Sequence, residues 1–297
     1  MCQYYGDIDT THRSNRNYLP TRRSSSHTVT RRNPTLVRPQ SMCLILVAKD
    51  VHSCYPLIII ANREEYHSRP TQSLSFWHDH PTIAAGRDLT AGGTWFGLNL
   101  QGLFAAVTNF QEPTVTVRSD YSRGMLALDW LRQKTEPADS HLRNHDQLQR
   151  YPGVNVISGN ITTLWWDSNR ASAPRRIPSG ISGLSNSLLN SPWHKIVYGK
   201  QLFKTILNRS FRSDTFFELL SNRTPAKGID ARNSGCSPDL PAAQSAIFIK
   251  GPVYGTRSST VLLVDQQNQV QLVERSYDPE GTILGENRLN FQLQPIA

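Results

Sequence analysis

The chain has 297 residues, a formal net charge of +9, 38% apolar and 19% charged residues, and a mean hydropathy of −0.45, a balance expected of a soluble globular protein with one large or two small domains. No apolar run approaches the roughly 20 residues that span a bilayer, so no transmembrane segment is expected, and no charged start followed by an apolar core marks a secretory leader. The charge does not imply nucleic acid either: residues 1–41 hold seven arginines and two aspartates, which is +5 of the +9, and the rest shows no helix-turn-helix, zinc-finger or RNP pattern.

Residues 1–41 are rich in Arg, Ser, Thr, Asn and Tyr and nearly free of aliphatic side chains, so disorder is expected there. Three origins stay open for this basic extension: a natural tail with basophilic phosphorylation sites such as Arg22-Arg23-Ser24, a transit peptide (against which Asp7 and Asp9 count), or an extension upstream of the functional start at Met42. From Met42 the composition changes, and residues 42–297 read as a single domain.

Residues 43–48 and 57–61 are short apolar strands joined by a polar turn. A Gly92-Gly93 turn precedes a strand at 103–108, and a helix over 122–131 carries Met125, Leu126, Leu128 and Leu131. Strands follow at 154–157 and 163–166. Ser191 before Pro192 predicts a capped helix start with an apolar stripe running to Leu207, and 213–220 is a further helix. Residues 225–241 read as a surface loop, 246–249 as a strand, and 260–264 with 270–274 as a hairpin. Many strands, few helices and short connections predict an α+β fold of antiparallel sheets with helices packed outside.

Four cysteines (Cys2, Cys43, Cys54, Cys236) without a CxxC pair favour a reducing compartment. Cys43 reads two ways. It is a small apolar residue opening a strand, or, once Met42 is removed, a thiol beside its own α-amine, which can accept the thiol proton near neutral pH. Asn62-Arg63-Glu64-Glu65 ends the second apolar run. A hairpin of the first two strands would bring Arg63 near Cys43; the alternative is a solvated hairpin end with internal ion pairs. His67, His78 and His80 complete no metal-ligand spacing, so no metal site is expected. The Trp165-Trp166 pair reads as sheet core.

MCLILVA (42–48), ANREEYHSRP (61–70), AAGRDLTAGGTWFGLN (84–99), GLFAAVTNF (102–110), SRG (122–124), GVNVISGN (153–160), GLSNSLLNSPWHKIVYGK (183–200), YGTRSST (254–260) and VERSY (273–277) together resemble the transport and Golgi organization protein 2 family, also called the NRDE family. The resemblance starts at Met42 and runs nearly to the C-terminus; Glu64 stands where the family name has Asp. It implies a four-layer αββα fold similar to N-terminal-nucleophile hydrolases of the choloylglycine and acid ceramidase kind. It further implies a cytoplasmic role in Golgi organisation and protein secretion, with Golgi or mitochondrial association, no obligatory cofactor, and haem or acyl-CoA as the ligand to consider. By the same analogy Cys43 would be a nucleophile, Arg63 and Glu64 or Glu65 would orient it, Asn186 would be an oxyanion donor and Arg257 a later arginine. Asn62 and Asn109 would be polar binding residues. The alternative for Asn186 and Asn109 is turn stabilisation. The resulting choice is between a ligand-handling protein of that family and a cysteine amidohydrolase acting on an acylated amide.

Overall fold

The computed structural model describes residues 42–112, 121–134, 145–227 and 242–294. Thirteen strands form two antiparallel sheets among these residues. The first sheet is built from β1 (Leu44–Lys49), β2 (Leu57–Tyr66), β10 (Gly180–Leu184), β11 (Tyr254–Val264), β12 (Gln269–Tyr277) and β13 (Ile283–Gln292), in the order β10-β1-β2-β11-β12-β13. The second contains β3 (Thr71–Phe76), β4 (Ile83–Asp88), β5 (Phe96–Asn99), β6 (Leu103–Asn109), β7 (Val154–Asn160), β8 (Leu164–Ser168) and β9 (Arg175–Arg176), paired in chain order.

Period-two alternation separates the faces of each strand. In β1 and β2, Ile45, Val47, Leu57, Ile59 and Ala61 enter a core shared with Phe96, Leu98, Phe104 and Trp166 of the other sheet. Leu44, Leu46, Ile58 and Ile60 instead pack outward against α2 (His194–Leu207) and α3 (Ser213–Leu220). On the second sheet, Ile83, Ala85, Leu103 and Ala105 turn outward onto Ala127, Leu128 and Leu131 of α1 (Arg123–Leu131). Helix, sheet, sheet, helix is the expected αββα sandwich. Trp166 is buried in the inter-sheet core and donates to Asn155 Oδ1 at 3.2 Å, so it serves the sheet as its sequence context predicts.

Three local expectations are corrected. The run 61–65 is not a hairpin end but the second half of a ten-residue central strand, paired with β1 on one side and β11 on the other. Residues 246–249 are buried but form no strand: Phe248 N bonds Asn222 O in the loop after α3, and Thr256 N of β11 bonds Ile249 O. Ser191 does not cap α2. Its hydroxyl donates to Leu188 O at 2.8 Å, and the extended Trp193 precedes the first helical residue, His194. The expected loop at 225–241 falls largely outside the described residues.

Candidate functional site

The register Leu44↔Asn62 puts Cys43 across from Arg63, and Leu184 pairs with Ile45 on the other side. Cys43 therefore opens a strand enclosed by two neighbours, on the side that faces the second sheet. It is half-buried, and its Sγ lies 3.9 Å from Glu64 O. Burial pushes the thiol up to about 12, the Glu64 carboxylate adds to the rise, and the Arg63 guanidinium opposes it. With Met42 attached, this thiol is protonated at neutral pH and a poor nucleophile.

The segments that carried the family resemblance converge on this point. Ser185 of LSNS donates to Cys43 O at 2.6 Å and to Asn186 Oδ1 at 3.1 Å. Asn186 is fully buried; its amide donates to Asn109 O at 2.7 Å, and its carbonyl accepts from Gln111 N. Lys195 of PWHK, also fully buried, donates to Met42 O at 2.6 Å, and Tyr254 Oη accepts from Met42 N at 3.1 Å.

Strand alternation splits the NREE run between two faces. Asn62 and Glu64 point to the helices. Asn62 donates to Leu220 O and Ile247 O at 2.9 and 2.8 Å and accepts from Ser259 Oγ at 2.6 Å. Glu64 accepts from Thr256 Oγ1 at 2.9 Å, and its other oxygen, Oε2, is buried without a hydrogen-bond partner. Burial pushes this carboxyl up to about 7, opposed first by the Lys195 charge. Arg63 and Glu65 point between the sheets. Arg63 lies 4.1 Å above the Trp95 ring and donates to Thr71 Oγ1. Trp95 packs on the inter-sheet core, its ring so close to Gly86 that a Cβ there would sit 2.5 Å from it.

Arg257 is the extra residue where the β2–β11 register shifts between Thr256 and Ser258. A bulge re-aims a side chain; here the guanidinium donates to Tyr66 O at 2.8 Å and Arg69 O at 3.1 Å. Glu65 lies 3.8 Å from both Arg63 and Arg69, and its charge is also felt by Arg123 and Arg257. Two arginines thus flank one half-buried carboxylate, and two more feel its charge.

Of the residues singled out from sequence, the fold gathers Cys43, Arg63, Glu65, Arg257, Asn186 and Asn109 around the head of β1. It turns the side chains of Asn62 and Glu64 to the opposite face. Lys195, Ser185, Tyr254, Thr256, Trp95, Arg69 and Arg123 went unrecognised, although most lie inside the quoted motifs. For Lys195 a signal was present: a lysine within the apolar stripe of an amphipathic helix must find a buried partner. His80 lies in a loop, its Nε2 2.8 Å from Arg132 Nη2.

Fold and site define an αββα protein with a thiol at the head of its first strand and arginines around it. A family model described as Transport and Golgi organisation 2 matches residues 42–279. The human Transport and Golgi organization protein 2 homolog is 31% identical over 257 residues, covering 79% of this chain and 93% of that protein. The mouse Transport and Golgi organization 2 homolog is 30% identical over 276 residues, 85% of this chain and all of that one. The chain belongs to the Transport and Golgi organisation 2 family. Among solved structures it is similar to the mutant C2A conjugated bile acid hydrolase from Clostridium perfringens, at 10% identity and a TM-score of 0.45 over 86% of this chain and 94% of that one.

Proposed function

We propose that this protein supports Golgi organisation, as its relatives' names state, and with it protein secretion, by handling an anionic ligand, an acyl-CoA or haem, at the head of β1. The observation that carries this reading is the placement of Arg63 and Arg69 each 3.8 Å from Glu65, whose charge Arg123 and Arg257 also feel. The carboxyls acting on these guanidiniums are Glu65, Asp88, which bonds Arg69 at 2.6 Å, Glu112 on Arg123 and Glu274 on Arg63. Phosphate or propionate groups are the partners that planar, bidentate guanidiniums recognise. A cytoplasmic location, with Golgi or mitochondrial association, accompanies this reading. Palmitoyl-CoA and hemin titrated into the full chain provide the test. At least one is expected to bind, and Arg257→Ala is expected to weaken it about tenfold, the loss of roughly one charge-assisted hydrogen bond. Absence of binding by both, or identical affinity in the variant, would overturn the reading.

A second reading, a cysteine amidohydrolase acting on an acylated amide, is favoured by the placement of Cys43 across from Arg63 and beside Ser185 and Asn186. The raised thiol confines that chemistry to a chain in which the Cys43 amine is free. Intact mass of the native protein's N-terminus tests it, and a population that retains residues ahead of Cys43 would sink it.

A further inference from the structure

Lys195 is an expensive residue to bury completely, and a strand entrance does not require one. Its ammonium nevertheless reaches from the first turn of α2 to the carbonyl oxygen of Met42, the residue directly ahead of the thiol, at 2.6 Å. Glu64, from the central strand, places a carboxyl in the same enclosure, where the Lys195 charge favours its ionised form, and leaves its Oε2 buried without a hydrogen-bond partner. The arginine cluster lies on the opposite face of β2, and Glu64 feels the Arg63 charge.

The peptide link fixes what happens at this point when the chain starts at Cys43. The Met42 oxygen and the Cys43 nitrogen are held about 2.2 Å apart across the planar amide, so Lys195 Nζ lies within about 5 Å of that nitrogen. Once Met42 is absent, the nitrogen is an α-amine in a dry site beside a fixed cation. Two positive charges at that spacing disfavour each other, and Lys195 has the Glu64 carboxyl beside it, whose ionised form its charge favours.

We propose that Lys195, backed by Glu64, is a positioning residue that holds the α-amine of an N-terminal Cys43 in its neutral form. This deepens the amidohydrolase reading and rests on it. The neutral amine then takes the thiol proton: the S–H bond breaks, an N–H bond forms, and a thiolate and an ammonium result. The charged and titratable groups facing this pair are Arg63, Glu64 and Glu65 from β2, Lys195 from α2 and Tyr254 from β11.

Every described strand and helix lies after Cys43, so a chain of residues 43–297 keeps them all. With ¹³C-labelled cysteine in that chain, carbon NMR reads the amine and thiol steps of Cys43 separately, without any substrate. In the wild-type chain the amine is expected to titrate at least one pH unit below the ordinary range of about 7.7–8.0. Lys195→Met, close in volume and uncharged, is expected to raise that step by about one unit or more, whereas Lys195→Arg keeps it low. An amine at or above its ordinary range in the wild type overturns the proposal even if neither variant folds, as does an unchanged step in Lys195→Met. A depressed amine in a chain that turns over no N-acyl amide would retire the hydrolase reading while leaving the role of Lys195 in place.

Discussion

Replacing Asn62 by alanine is expected to destabilise the protein by about 3–5 kcal/mol, because it strands several buried polar groups at once. The side chain links β2 to α3 and to the loop before β11. It satisfies Leu220 O and Ile247 O, and it accepts the Ser259 hydroxyl. Both carbonyls belong to segments that end without a regular ladder partner, so removing the amide leaves them dry and unpaired. Urea denaturation of wild type and variant measures the difference. A loss below about 1 kcal/mol would show that the amide is not a structural link. It would also return Asn62 to consideration as a ligand-binding group.

The second large effect depends on pH. Glu274 sits between the sheets, where it accepts from Leu74 N at 2.8 Å, and burial pushes its carboxyl up to about 7 from an ordinary 4.5. A folded-state value above the unfolded one means that the folded chain holds a proton the unfolded chain has already released. The stabilisation is fully present below pH 4.5 and is lost as pH rises through 7. A shift of that size corresponds to about 3 kcal/mol. Glu274→Gln mimics the protonated carboxyl at every pH. Relative to wild type it is expected to be more stable by about 3 kcal/mol at pH 8 and by under about 1 kcal/mol at pH 5. Denaturation curves at the two pH values decide this, and an equal difference at both would mean that Glu274 is ionised in the folded state throughout. Glu64, also pushed up to about 7, adds a contribution of the same sign to the wild-type profile.

The two-sheet sandwich was legible because its central strands carry long apolar runs and its last hairpin has a clean polar turn. The strands that escaped notice are those whose sequences lack such runs. β13 is an edge strand with most of its residues exposed, and β9 has two residues. The polar half of β2 misled for a different reason. Asn62, Arg63 and Glu64 are each under 10% exposed, yet their partners lie on segments far along the chain, including Leu220, Ile247, Thr256 and Trp95. Local pattern reads such a run as solvated, and only tertiary contact shows how its polar groups are satisfied.

The site was partly legible for the complementary reason. Cys43 and Arg63 lie on adjacent antiparallel strands joined by a short turn, so hairpin register alone brings them together. Arg257 reaches the same place through a bulge. Lys195 does so through the docking of α2 on the outer face, which no spacing in the sequence encodes.

Hydrogen exchange of the full chain, with and without palmitoyl-CoA or hemin, tests the location of the ligand most directly. Binding is expected to slow exchange in residues 61–70, 185–187 and 254–258, the segments that meet at the head of β1. Protection confined to other segments, or binding without protection there, would contradict that location.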